Sequence, residues 1–140
     1  MPRPEIKPGI YFIADADVLD DEQLVPVTQA ALAGGVTLVQ LRAKHSPPQH
    51  IAELGQRLLE VTRRFDVPLL INDAVEVAVE IGAEGVHVGQ EDMPAAHARE
   101  LLGPDAIVGV TTECREDVLA ANADDADYIA VGALFPSPTK

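Results

Sequence analysis

Polar residues able to bind metal or phosphate recur in this sequence directly after short apolar runs. Gln40, Arg42 and Lys44 close one run, and Asn72 and Asp73 close the next. Gln90 and Asp92 follow another, Thr111 another, and Ser137, Thr139 and Lys140 trail the last. Asp73 and Asp92, with Asn72 and Gln90 beside them, form an oxygen-rich donor set. Such a set suits Mg²⁺, which takes one or two carboxylates and completes its shell with water and substrate phosphate. Arg42, Lys44 and Lys140 supply positive charge, and Thr111, Ser137 and Thr139 supply hydroxyl donors. Metal, cations and donors on one face describe a pyrophosphate site.

Each residue also has an ordinary structural reading. Asp73 and Asp92 sit where a helix N-cap belongs. Arg42 and Lys44 alternate at a strand end and fit a solvated edge, and Gln40 fits an internal hydrogen bond. His87, inside an apolar run, fits a satisfied core histidine, and Cys114 a helix residue without a role. These readings suit the positions singly but do not predict that all of them fall on one rim.

The elements that must position them are strands and helices in alternation. Apolar, β-branched runs at 10–14, 37–41, 68–71, 85–88, 107–110 and 128–131 are too continuous for half-exposed antiparallel strands. Between them lie helical patterns. Asp20 and Asp21 precede one with Leu24, Val27, Ala31 and Leu32 on a face, closed by Gly34 and Gly35. Ser46 before Pro47 and Pro48 fits an N-cap, after which Ile51, Leu54, Leu58, Val61 and Phe65 keep helical spacing. Asp73 is placed to cap a short helix ending at Gly82; Pro94 opens another ending at Gly103, and a fifth spans about 114–123. This alternation calls for a parallel sheet, either doubly wound or a (β/α)₈ barrel. No G-x-G-x-x-G turn follows the first strand, which disfavours a dinucleotide fold. In a barrel, the polar residues above all fall at the carboxyl ends of strands, the rim where barrel enzymes keep their chemistry.

Composition bounds the function. The chain has 140 residues, 47% of them hydrophobic, which fits one domain over 1–140 with a real core. A net charge of −13 and the absence of basic runs exclude a nucleic-acid surface. No apolar stretch reaches the roughly 18 residues of a membrane helix. With a single cysteine, Cys114, and no signal-like N-terminus, the expected location is cytoplasmic. Only Lys7, Lys44 and Lys140 are lysines, and two of these are in the candidate site.

The segments GGVTLVQLRAK (34–44), LIND (70–73), GVHVGQEDMP (85–94) and VGALFPSPTK (131–140) together resemble the thiamine phosphate synthase family in order and spacing. The resemblance implies a TIM-barrel α/β fold and a Mg²⁺-dependent transferase. Its reaction joins a hydroxymethylpyrimidine diphosphate to a thiazole phosphate, giving thiamine phosphate and pyrophosphate. By position, Asp73 and Asp92 match the family's metal ligands. Arg42, Lys44, Asn72, Thr111 and Lys140 match its diphosphate-binding groups, Gln40 a residue facing the pyrimidine, and Ser137 and Thr139 hydroxyls near the thiazole phosphate. No nucleophile or general-base constellation is required, and none is visible in the sequence.

Three departures from the family pattern stand out. Ala74 replaces a frequent arginine, and Glu113 replaces a common histidine near the mouth. The chain also stops after the sixth strand, so it is expected to hold about six of eight βα units, the N-terminal portion of the barrel. Two other readings remain open: an inactive fragment that needs its C-terminal strands, and a thiazole tautomerase-like relative. The open edges of an incomplete barrel are expected to favour self-association.

Overall fold

The computed structural model describes residues 2–138. Strands and helices alternate: β1 (Ile10–Asp15), α1 (Asp21–Ala33), β2 (Val36–Arg42), α2 (Pro48–Arg64), β3 (Leu69–Asn72), α3 (Val75–Ile81), β4 (Gly85–Val88), α4 (Ala95–Leu102), β5 (Ile107–Thr112), α5 (Arg115–Ala123) and β6 (Tyr128–Val131). The expected strands are all present, within two residues at each end.

Sheet order follows chain order, β1-β2-β3-β4-β5-β6, and every pair is parallel. A doubly wound sheet would reverse its strand order at a switch point, and this sheet has none. It also curls. Laid flat, six strands would hold β1 and β6 about 24 Å apart at ~4.8 Å per spacing. Instead the hydroxyls of Tyr11 on β1 and Tyr128 on β6 meet at 2.7 Å. The result is a six-stranded parallel half-barrel with five helices.

Strand alternation divides the core in two. Val39, Leu41, Leu69, Ile71, Val86, Val88, Val108 and Val110 face the helices and form the larger cluster with residues such as Leu24, Leu54, Leu58 and Val75. Leu38, Leu70 and Ile107 face the concave side, packed by Ile6, Tyr11 and Tyr128. Gly109 lies opposite Tyr128, and a Cβ there would stand 2.0 Å from the tyrosine Cζ, so the missing side chain makes room for the ring.

Asp20, of the acidic pair that precedes α1, is its N-cap, accepting from the Glu22 and Gln23 amides while Gln23 reaches back. Two expectations are corrected. The N-cap of α2 is Pro47 rather than Ser46, with no side-chain bond. Pro48 takes the first helical position, and the amides of His50 and Ile51 donate to the Pro47 carbonyl. Phe65 is not part of the buried face of α2; it follows the last turn and is 40% exposed.

At the end where strands begin, the N-terminal segment crosses the half-barrel. Arg3 donates through Nε to the Pro104 carbonyl at 2.9 Å and pairs with Asp127. Asp127 also binds Arg99 at 2.7 Å and the Val108 amide at 2.7 Å.

Candidate active site

Asp73 leaves β3 with φ of +63°, the left-handed region that costs any residue with a side chain but is best tolerated by Asn and Asp. Its amide donates to the His87 carbonyl at 2.9 Å, which ties the turn to β4. The capping reading of Asp73 does not hold, because the N-cap of α3 is Ala74. Nor does Asp92 cap α4, whose N-cap is Pro94. Asp92 Oδ2 accepts the Gly89 amide at 2.7 Å, closing the loop after β4. Freed from capping, the two carboxyls meet.

That meeting sets the electrostatics. Asp73 is pushed up to about 6, first by burial, then by its hydrogen bond to Asp92 and by that residue's charge. Lys44, with Nζ 4.0 Å from Asp73, and a hydrogen bond to Asn72 pull the other way. Asp73, Asp92, Asn72 and Lys44 thus form one cluster drawn from three consecutive strand ends. Among the described residues no group of three or more His, Cys, Asp or Glu side chains could hold a metal. Two adjoining carboxyls that repel each other, with only oxygen donors, fit Mg²⁺, whose other positions are filled by water and phosphate oxygens.

Arg42 pairs with two acidic residues at the end of β1. Its Nη1 lies 2.8 Å from Asp15 Oδ2 and 3.6 Å from Asp17 Oδ2. Asp17 in turn contacts His45 Nδ1 at 3.0 Å. Asp15 and Asp17 escaped the sequence reading, although their place just after the first strand puts them on the same rim.

The remaining residues join along the concave face. Buried Gln40 donates through Nε2 to Tyr11 Oη at 2.6 Å, and Tyr11 meets Tyr128 at 2.7 Å. Tyr128 Oη lies 2.7 Å from His87 Nδ1, and His87 Nε2 lies 2.7 Å from Thr111 Oγ1. Gln90 donates to the Thr111 carbonyl at 2.7 Å, so it braces β5 rather than joining the carboxyl cluster. Ser137 lies in the irregular stretch after β6, and Thr139 and Lys140 lie outside the described residues. The exposed Glu113 donates its amide to Asp117 at 2.8 Å, at the start of α5.

A family model for thiamine monophosphate synthase matches residues 10–140. The chain belongs to that family. Thiamine-phosphate synthase of Clostridium tetani is 41% identical over 131 residues, covering 94% of this chain and 63% of the relative. That of Roseiflexus castenholzii is 41% identical over 140 residues, covering 100% of this chain and 61% of its own. Among solved structures, thiamine phosphate pyrophosphorylase from Pyrococcus furiosus superposes with a TM-score of 0.79 at 35% identity, covering 90% of this chain and 61% of the other. N-acetylneuraminate lyase from Fusobacterium nucleatum, at 12% identity and a TM-score of 0.66, shares the fold alone. The chain spans about three-fifths of the length of the curated relatives it matches. Among the described residues no helix is long and apolar enough to cross a membrane.

Proposed function

We propose that this chain carries the metal and diphosphate half of a thiamine phosphate synthase site, within the N-terminal part of a (β/α)₈ barrel acting in the cytoplasm. The observation that carries the reading is the Asp73–Asp92 pair with Lys44 4.0 Å away, in a chain of this family. The reaction is a substitution at the methylene carbon of the pyrimidine substrate. The C–O bond breaks with its electron pair leaving on pyrophosphate, and the thiazole nitrogen lone pair forms the new C–N bond.

Asp73 and Asp92 would hold Mg²⁺, which when bound would supply positive charge against the leaving diphosphate. Lys44 adds a cation beside Asp73, and Asn72 and Thr111 offer neutral donors. These groups stabilise charge that grows as the bond breaks, which lowers the barrier without a strong base. Arg42 orders the rim through Asp15 and Asp17 and keeps further donors for phosphate, since a guanidinium carries five N–H groups. Gln40 lines the concave face where a pyrimidine edge would lie. Ser137, Thr139 and Lys140 are assigned to the thiazole phosphate and diphosphate by family position. The tautomerase-like reading is not favoured, since the relatives are named thiamine-phosphate synthases.

Calorimetric titration of inorganic pyrophosphate into the chain with Mg²⁺ tests the reading. Saturable, Mg²⁺-dependent binding that Asp73→Asn and Asp92→Asn abolish is expected. Binding unaffected by either substitution sinks it.

A further inference from the structure

The chain of hydrogen bonds along the concave face has a direction. Gln40 Nε2 can only donate, so Tyr11 Oη accepts from it. Tyr11 is mostly buried, and its own hydrogen then goes to Tyr128 Oη, 2.7 Å away. Were Tyr128 to donate to Tyr11 instead, the Tyr11 hydrogen would be left without an acceptor among these partners, which is costly in a buried setting. Tyr128 therefore donates to His87 Nδ1, and that nitrogen must be unprotonated. The proton of neutral His87 then sits on Nε2 and is donated to Thr111 Oγ1, 2.7 Å away. With its oxygen already accepting, Thr111 has one hydrogen left to give.

We infer that Gln40, Tyr11 and Tyr128 hold buried His87 as the Nε2–H tautomer and thereby set the Thr111 hydroxyl as a hydrogen-bond donor to an anionic phosphate oxygen. Tyr11, Tyr128 and His87 are positioning residues, and Thr111 is the group that touches the ligand. The inference rests on the proposed function for its ligand, but its tautomer does not. The geometry is well suited to the task. The polar chain lies among Leu38, Leu70 and Ile107, which keep water from competing for its bonds. Gly109 gives the Tyr128 ring its place, so the alignment is built into the sheet.

The test has two arms on the 140-residue chain. Nitrogen NMR of ¹⁵N-histidine-labelled protein is expected to report His87 protonated on Nε2 only, and Tyr128→Phe is expected to convert it to a tautomer mixture. An Nδ1–H tautomer in the unsubstituted chain overturns the inference whatever the protein binds. In the second arm, Mg²⁺ and inorganic pyrophosphate are titrated. Thr111→Val and His87→Leu are each expected to weaken binding about ten- to a hundredfold, the range for a hydrogen bond to a charged group. His87→Gln restores an N–H near the Nε2 position and is expected to recover affinity to within about threefold. Affinity unchanged in a folded His87→Leu chain overturns the inference. If the unsubstituted chain binds no pyrophosphate, the functional reading falls and the NMR arm still decides the tautomer.

Discussion

The carboxyls of Asp73 and Asp92, delivered by adjacent strands, share a hydrogen bond, and Lys44 stands 4.0 Å from Asp73. The left-handed backbone at Asp73 is what turns its side chain from helix capping to this contact. A carboxyl pair so placed binds a proton more tightly than a lone carboxyl does, and a cation would compete with that proton.

The pH dependence follows from that competition. Asp73 titrates near 6 in the folded chain, above its ordinary value of 3.8. The folded state thus binds a proton more tightly than the unfolded one, so its contribution to stability is full below about pH 4 and lost as pH rises through about 6. Without metal, Asp73→Asn is expected to melt higher than the parent chain at about pH 8, with the difference vanishing near pH 4. Excess Mg²⁺ is expected to stabilise the parent at about pH 8 and not at about pH 5. Thermal melts of both chains across this range, with and without Mg²⁺, measure it.

Asp92→Asn removes the charge that opposes ionisation of Asp73. The Asp73 carboxyl is expected to titrate closer to its ordinary value in that variant, as followed by ¹³C NMR. Lys44→Met is expected to move it the opposite way, because the ammonium favours the ionised form. Movement in the same direction for both substitutions would contradict the cluster described here.

Gly109→Ala places a methyl group inside the Tyr128 ring. Overpacking of this kind costs about 1–3 kcal/mol, seen as a lower urea midpoint. Tyr128→Leu should relieve much of that cost, so the double substitution is expected to be less damaging than the sum of the singles. Additive effects would mean that the two positions do not share the space.

Asp127 is the junction of Arg3, Arg99 and the Val108 amide. Its replacement by alanine strands the largely buried Arg99 without its carboxylate. Removing one partner of a buried pair costs about 3–5 kcal/mol, measurable by urea unfolding. Arg3→Ala, on a more exposed residue, is expected to cost about 1 kcal/mol or less.

Beside β1 and α1 runs a groove of about 380 Å³ lined by Phe12, Ile13, Asp15, Val18, Leu19 and Val27. At the other edge, Ile129 and Val131 of β6 are exposed, at 40% and 65%. In the described residues each of these strands pairs on one side only. Prepared as these 140 residues, the chain is expected to self-associate with rising concentration in sedimentation experiments, and Ile13→Lys is expected to reduce it. A monomer at all concentrations would remove the edges as sticky surfaces.

The fold was legible because its signals are local. Continuous apolar strands at regular intervals, the acidic pair Asp20 and Asp21 before α1 and Gly103 at the end of α4 need no partner from elsewhere in the chain. The nearness of Asp73 to Asp92 was legible by position, since neighbouring strand ends of a parallel sheet share one rim. What the sequence could not show were pairings across the fold. Arg42 looks the same whether it faces a phosphate or Asp15, 27 residues away. Tyr11 and Tyr128 read as ordinary strand aromatics until the curl of the sheet brings their hydroxyls together. Asp73 fits both a helix cap and the oxygen-donor set by spacing, and only the N-cap at Ala74 removes the first of these.

Strand order and chain order coincide in this sheet, so each strand can pair with its predecessor as soon as it is synthesised. The bonds between the two ends behave otherwise. Tyr11 waits for a residue 117 positions later, and Arg3 for one 124 positions later. Such distant contacts carry the largest loop-closure cost and form late. Arg3 can therefore pair with Asp127 only once that later residue has emerged, so this end of the half-barrel is sealed after β1 to β5 have been synthesised.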